Sequence, residues 1–494
     1  MKNISYILAV TATIFIVASC NKMLEVVPKS DVTDTSYYTT DDELFTGVIG
    51  CYNGLIETVS NEWILTELRS DNSWQRETGS STRSNLDLND IDMFRPSAYL
   101  NEIYSYWYAT YQNIASCNTV LKHLDVAKTD ENRKQYEGEA RFIRAYHYFN
   151  LVRLFGPVFL CDHNITPQEA KKMNRVSVDE VYDFIISDLI VAIDTLKLPA
   201  DYSADQKGRA TIWAAKGLLA KVYLTLGNYG KAREILADIV QNSGHTILSV
   251  FEDVFSTSNE INSEIIFTVR HKAGGYGLGC SFSNSFAPLN SKGAVVGYGD
   301  GAGLNSPTFD LYRSYSNDDR RKAATIGVWL NTASVEYLYP KKLVIPVTSL
   351  NDSELDFPVL RFADILLMLA ECENELGSPA TALAYLDPIR MRAGLPLLTS
   401  SSQMEARLLI EDERRFELAF ENHRFFDLVR TGRLKEVVEK QIFETDYVEH
   451  YALYSEAQRP VAGAIIQTWQ ELLPVPGREI DANNDIVITQ NFGY

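Results

Sequence analysis

Apolar residues recur along most of the chain at the spacing of one face of an α-helix. In the first such stretch, the i, i+3, i+4, i+7 spacing of a buried helical face is met by Phe45, Val48, Ile49, Tyr52, Leu55 and Ile56. The same periodicity predicts further helices over about 99–125, 131–154 and 177–196. The pattern therefore predicts a mainly α fold.

One stretch carries the helix–turn–helix pattern of a tetratricopeptide repeat. Over 209–242, two predicted helices flank a Leu-Gly-Asn-Tyr turn, and the small residues Ala220 and Ala232 stand where such helices approach each other. A weaker copy covers 362–392, and 138–154 resembles a degenerate third. Such repeats serve either as packing units or as a peptide-binding groove, and we take them as scaffold. The paired helices are accordingly expected near 131–154, 177–242 and 357–392.

Two long stretches lack helical periodicity. Residues 66–97 are polar and irregular, and 243–356 are rich in Gly and Ser, with one strand-like run at 265–269. Long loops without secondary structure of their own are uncommon and are often functional. We therefore expect a single domain over 41–494, in which a tetratricopeptide-like helical scaffold carries two loop-rich, ligand-facing insertions and few short strands.

The first twenty residues predict export and lipid attachment. Lys2 precedes an apolar run over 4–17, and small residues then lead directly into Cys20. This arrangement is typical of a lipoprotein signal peptide, in which 1–19 are removed and lipid is attached to the Cys20 sulfur. The alternatives are an ordinary signal peptide and a transmembrane helix, for which the run is short. Two or three acyl chains would anchor the protein, with 20–40 as its tether.

Charge and cysteine content exclude several classes of protein. Lysine and arginine number 46 against 65 aspartate and glutamate residues, a formal net charge of −19, so nucleic acid is not an expected partner. The cysteines after Cys20 are scattered and include no C-x-x-C pair, so neither a disulfide framework nor a zinc site of common spacing is predicted. Cys51, Cys117 and Cys372 lie in helical patterns and are expected in the core.

The sequence contains no motif of a common catalytic site. There is no G-x-S-x-G, H-E-x-x-H or G-K-[ST] sequence. The glycine-rich runs at 274–279 and 297–303 lack the strand-before, helix-after context of a dinucleotide-binding loop. A pair of catalytic carboxylates stays open as an alternative, because 65 acidic residues always offer pairs. We predict a protein that is not an enzyme and that uses no cofactor and no metal.

Several stretches, in order along the chain, resemble the SusD/RagB family of nutrient-binding lipoproteins. The stretches that carry the resemblance are 50–54, 138–158, 358–371, 389–395, 413–421, 423–430, 473–476, 479–483 and 490–494. The resemblance implies a helical fold built on tetratricopeptide-like pairs. It also implies a place at the cell surface on the outer membrane, in complex with a SusC-like TonB-dependent transporter. The implied ligand is an oligosaccharide or polysaccharide, with a peptide as the alternative.

Ligand residues are expected in the two loop regions, because sugar rings stack on aromatic side chains while polar groups orient the hydroxyls. The expected ligand residues are Asp71, Asn72, Trp74 and Arg76 in the first loop and Tyr276, Phe282, Tyr298 and Trp329 in the second. The alternative for each is packing beneath its loop. In contrast, Arg414, Arg415, Arg424 and Asp427 alternate with aromatic residues and are expected to form ion pairs between the C-terminal helices.

Overall fold

Helices account for most of the chain that the structure describes. The computed structural model describes residues 37–75, 83–446, 466–483 and 485–494. The helices of the N-terminal half are α1 (Asp41–Leu65), α2 (Arg83–Asp92), α3 (Asn101–Lys122), α4 (Asp130–Phe155), α5 (Pro167–Ala170), α6 (Val178–Thr195), α7 (Ile212–Thr225) and α8 (Tyr229–Asn242). Those of the C-terminal half are α9 (Phe282–Phe286), α10 (Gly293–Val296), α11 (Phe309–Ser314), α12 (Arg321–Thr325), α13 (Phe362–Glu375), α14 (Pro379–Ala384), α15 (Asp387–Ala393), α16 (Gln403–Leu418), α17 (Arg424–Arg430), α18 (Leu434–Lys440) and α19 (Gly477–Ala482). The predicted mainly α fold is confirmed.

The long helices pack one against the next in chain order. Helix α1 packs on α3, α3 on α4, α4 on α6, α6 on α7, α7 on α8, α8 on α13 and α13 on α16. In the α7–α8 pair, Ala220 and Ala232 are fully buried, and Gly227 makes the turn with a φ of +70°. A side chain at this φ would be strained, so the glycine is required by the backbone. The tetratricopeptide-like scaffold is therefore confirmed.

Local signals for helix ends and core residues also hold. Ser177 and Glu180 form the capping box that their spacing predicts at the start of α6. Cys51, Cys117 and Cys372 are fully buried, as expected of small apolar residues on helix faces. These three thiols are therefore part of the packed core.

Six short strands form three antiparallel pairs in the described residues. The strands are β1 (Ser73–Trp74), β2 (Ile265–Val269), β3 (Ser306–Pro307), β4 (Ile326–Leu330), β5 (Glu336–Pro340) and β6 (Phe357–Arg361). Strand β1 pairs with β3, β2 with β6 and β4 with β5. The β2–β6 ladder is buried, whereas the β4–β5 hairpin exposes part of its surface. The strand predicted at 265–269 is confirmed.

The loop expected at 66–97 contains more secondary structure than the sequence predicts. It includes a 3₁₀ turn at Glu67–Arg69, then β1 and α2. Leu88 and Ile91 of α2 are buried, together with Phe94 just after the helix. The apolar spacing of this short helix is hidden among polar neighbours, which is why periodicity over a longer window does not reveal it.

Residues 1–36 lie outside the described residues. The predicted signal peptide, the lipid-attachment residue Cys20 and most of the tether therefore stay predictions. Among the helices that the structure describes, none combines the length and the apolar character that crossing a bilayer requires.

A buried network of ion pairs joins the helical scaffold to the loop-rich region. Its members are Glu264, Asp319, Arg321, Lys342, Arg361, Arg390, Arg392, Glu413, Glu417 and Glu421. The five cations balance the five carboxylates. Glu417 receives hydrogen bonds from Arg321, Arg361 and Arg392. Burial opposes the ionisation of Glu417, but these guanidiniums outweigh it and hold its pKa well below the usual range.

Candidate ligand-binding site

The first loop's expected ligand residues are mostly buried. Trp74 is only 5% exposed and lies in β1, opposite Ser306 of β3. Asp71 and Asn72 precede it and are also buried. Arg76 lies outside the described residues, so its role stays a prediction.

Asp71 is held by arginines of the C-terminal helices. Arg424 donates two hydrogen bonds to its carboxylate, at 2.7 and 2.9 Å, and the guanidinium of Arg415 lies 3.0 Å away. Burial would raise the pKa of Asp71, but the two arginines outweigh burial and lower that pKa to about 2. The ion pairs predicted for Arg415 and Arg424 are confirmed, and so are those of Arg414 with Asp427.

The Asn72 amide is likewise occupied by internal contacts. Its Nδ2 donates to Glu67 Oε1 at 2.9 Å, and its Oδ1 accepts a hydrogen bond from Arg415 Nε at 3.0 Å. Asp71 and Asn72 therefore connect the first loop to α16 and α17. We remove Asp71, Asn72 and the buried Trp74 from the candidate site, because they present no surface on which a ligand could stack.

Among the four ligand residues expected in the second loop region, Phe282 is the one that the structure places in the core. It is 1% exposed, stacks on Phe286 at a centroid distance of 5.0 Å and meets the edge of Phe357 at 5.7 Å. A ring enclosed in this way cannot stack on a sugar, so Phe282 is also removed from the candidate site.

Tyr276 and Tyr298 are exposed, with 65% and 54% of their surface accessible. The loop that carries Tyr276 is held at Gly274 and Gly275, whose backbone amides donate to Asp352 Oδ2 at 2.8 and 3.0 Å. The Lys272 ammonium lies 4.7 Å from the centroid of the Tyr276 ring, within cation–π distance. The ring is thus displayed from an anchored loop.

Asn284 fixes the loop that carries Tyr298. It is buried in α9, and its Nδ2 donates to the backbone oxygens of Tyr298 at 3.1 Å and Asp300 at 3.0 Å. Its Oδ1 accepts a hydrogen bond from the Asn351 amide at 2.9 Å. Because Asn351 adjoins Asp352, both exposed tyrosines lie on loops attached to one segment of backbone. Asn284 is a positioning residue that sequence reasoning did not select.

Trp329 and Tyr337 form a cross-strand pair on the β4–β5 hairpin. Their backbones are in register, their ring centroids are 5.6 Å apart, and both side chains are half-buried. In the same hairpin the Tyr339 ring packs directly on Gly327, where an added Cβ would lie 2.2 Å from the ring. Aromatic packing on a strand glycine stabilises its ladder. Tyr337 is a second residue that sequence reasoning did not select.

The hairpin and the tyrosine loops share a support. The segment that leaves the hairpin reaches α9, where the Ile345 amide donates to Ser283 Oγ at 3.1 Å, next to Asn284. We call Tyr276, Tyr298, Trp329 and Tyr337 the aromatic loop surface. Chemically, this surface offers ring faces for stacking, and the Lys272 ammonium lies beside the ring of Tyr276. Within the described ranges, no group of three or more histidine, cysteine or acidic residues is arranged to hold a metal ion.

Comparison with known proteins agrees with this architecture. The model of the SusD family matches residues 327–494, and the model described as starch-binding, associating with the outer membrane, matches 22–224. A SusD-like protein of Formosa agariphila, P25, is 28% identical over 86% of this chain and 89% of its own. The starch-binding protein SusD of Bacteroides thetaiotaomicron is 23% identical over 74% of both chains.

A solved structure gives the same result at the level of the fold. A laminarin-binding SusD-like protein superposes with a TM-score of 0.77 at 28% identity, covering 92% of this chain and all of the other. The two family models together span the helical scaffold and the C-terminal helices, and the superposition extends to the loop-rich region between them. The two family models, the relatives and the shared fold together support a SusD-like family protein.

Proposed function

We propose that the protein is an outer-membrane lipoprotein without catalytic activity that binds an oligosaccharide or polysaccharide and delivers it to a TonB-dependent transporter. The observation that carries the proposal is the aromatic loop surface, where Tyr276 and Tyr298 are exposed and Trp329 pairs with Tyr337. Aromatic rings on anchored loops suit the flat C–H faces of pyranose rings. The predicted lipid on Cys20 supports the membrane location.

The affinity expected from this surface is modest. Each stacked ring contributes on the order of 1 kcal/mol, whereas a millimolar Kd requires about 4 kcal/mol, so stacking by two or three rings must be supplemented by hydrogen bonds and the affinity stays low. Weak binding suits a protein that must release its ligand to a transporter. Laminarin is the first glycan to test, because a relative that has this fold and is 28% identical is named for binding it.

A titration of the purified protein with a ligand panel tests the proposal. The panel contains laminarin, starch, further polysaccharides and mixed peptides, and binding is followed by calorimetry. We expect saturable binding of one glycan class and no peptide binding. Binding of peptides alone would replace the proposal with the peptide-uptake alternative, and release of reducing sugar from a bound glycan would contradict the absence of catalysis.

Delivery to the transporter needs a test in the cell. We expect deletion of the gene to abolish growth on the glycan that binds in the titration, and growth to return with the native chain. Cys20→Ala should fail to restore growth if lipid attachment is needed. Equal growth with and without the protein would contradict a role in uptake.

A further inference from the structure

A groove of about 530 Å³ runs along the outer face of α3, and none of the four residues of the aromatic loop surface lines it. Its floor is formed by Trp107, Tyr108 and Tyr111 of α3. Phe159 and Glu479 of α19 also line the groove. This volume is typical of small-ligand sites, which span roughly 300–1,000 Å³.

The floor of the groove is preformed. The Tyr108 ring is 48% exposed and stacks on Tyr104, with centroids 5.8 Å apart and an interplanar angle of 23°. Trp107 meets Phe159 edge-on at 6.0 Å, and the Tyr111 hydroxyl donates to the Phe159 backbone oxygen at 2.9 Å. One aromatic face is therefore available to a ligand, and the side wall beside it is fixed by a hydrogen bond.

Glu479 places a carboxylate on the edge of this aromatic floor. The side chain is half-buried, and in the described part of the chain no hydrogen bond or ion pair reaches its carboxylate. Burial raises the pKa of this carboxylate, because it takes the charged form out of water. Lys171, the cation that lines the groove, is exposed and lies 3.9 Å from Asp485. A ligand that brings a positive charge would supply the partner that Glu479 lacks.

Two amide side chains complete the lining. Gln112 donates through Nε2 to the Tyr108 hydroxyl at 2.6 Å, which leaves its Oε1 able to accept a hydrogen bond. Asn483 also lines the groove, but its amide is held by backbone contacts: Nδ2 donates to the backbone oxygens of Ala170 and Lys171 at 3.4 Å, and Oδ1 accepts from the Asp485 and Ile486 amides at 3.0 and 3.3 Å. An aromatic face, the free amide oxygen of Gln112 and a single unpaired carboxylate are suited to a ring that is apolar on one face, carries hydroxyls at its edge and bears an amine.

We propose that this groove binds an amino sugar whose amine is free and protonated. The C–H face of the sugar stacks on Tyr108, its ammonium pairs with Glu479, and Gln112 Oε1 accepts a hydrogen bond from one of its hydroxyls. A uronic acid would meet the Glu479 carboxylate and is rejected by charge repulsion. The site is separate from the proposed glycan site and does not depend on it, since the two share no residue.

The test compares two probes that differ in the amine alone. Calorimetry at physiological salt measures binding of the glucosamine hexamer and of the N-acetylglucosamine hexamer to the purified protein. We expect the free amine to bind roughly tenfold more tightly, as one added charge pair in a partly buried site would give. Glu479→Gln should remove that difference, while Tyr108→Ala should weaken both probes.

Matched variants separate the groove from general attraction of cations to an acidic protein. Glu436→Gln removes an exposed carboxylate, and Trp329→Ala changes the aromatic loop surface; neither should alter the amine preference. Three results would overturn the proposal: equal affinity for both hexamers, a preference that survives Glu479→Gln, or displacement of the glucosamine hexamer by pentalysine at the same concentration. Loss of laminarin binding in Trp329→Ala with the amine preference retained would show that the two sites are distinct.

Discussion

Replacing Arg361 with methionine is expected to lower the free energy of unfolding by about 3–5 kcal/mol. Arg361 is 1% exposed and donates to Glu264, Glu417 and Glu421 at 2.6–2.9 Å. Methionine fills much of the same volume but removes one of the five cations that balance five buried carboxylates. The remaining excess negative charge has no access to water, and for that reason the cost is large.

An exposed arginine provides the matched control for Arg361→Met. Arg407 makes two hydrogen bonds to Glu375, at 2.8 and 2.7 Å, but 43% of its side chain is accessible. Arg407→Met should cost less than about 1 kcal/mol, because the exposed guanidinium is already screened by water and Glu375 keeps a hydrogen bond from Asn374 Nδ2 at 3.1 Å. Urea denaturation of both variants at pH 7 measures the difference. Equal losses of stability would contradict the account of the buried network.

Asp71→Asn is expected to lower the free energy of unfolding by about 2–4 kcal/mol at pH 7. The substitution keeps the shape of the side chain but leaves the buried guanidiniums of Arg415 and Arg424 without their shared carboxylate. Each arginine keeps one further acidic partner, Asp310 and Glu411 respectively, so we expect a smaller loss than for Arg361. Asp130→Asn, at an exposed ion pair, should leave the free energy of unfolding nearly unchanged.

The carboxylate of Asp71 also makes the free energy of unfolding depend on pH. The pKa of Asp71 is about 2 in the folded protein and near 3.8 when the chain is unfolded. Its stabilisation is therefore complete above about pH 4 and is lost as the pH falls towards 2. In Asp71→Asn this part of the acid sensitivity should be absent, and glycan affinity at pH 7 should be unchanged. If Asp71→Asn kept its full stability but lost glycan affinity, Asp71 would instead be a ligand residue.

The scaffold was predictable because its signals are local. The position of a helix can be read from apolar residues that repeat every three to four positions along its buried face. The turn at Gly227, with the small residues Ala220 and Ala232, likewise indicates how α7 and α8 pair. The predicted ion pairs of the C-terminal helices rest on the same kind of signal, since arginines between buried aromatic residues require acidic partners.

The candidate site was predictable only in part, because exposure depends on contacts distant in sequence. Asp71 resembles a loop carboxylate, yet its partner Arg424 lies 353 positions away along the chain. Phe282 and Tyr298 occur in the same glycine-rich region, and only the packing of α9 buries one while Asn284 holds the backbone of the other. The pairing of Trp329 with Tyr337 depends on a strand register that the irregular sequence around it does not indicate.

Titration of the double variant Tyr298→Ala, Trp329→Ala tests the central claim most directly. We expect the glycan that binds the native protein to bind this variant roughly thirtyfold more weakly, because two stacking contacts of about 1 kcal/mol each are lost. Phe492→Ala, which removes an aromatic ring that is 83% exposed outside the aromatic loop surface, should bind like the native protein. Native affinity in the double variant, with its thermal stability intact, would contradict glycan capture by the aromatic loop surface.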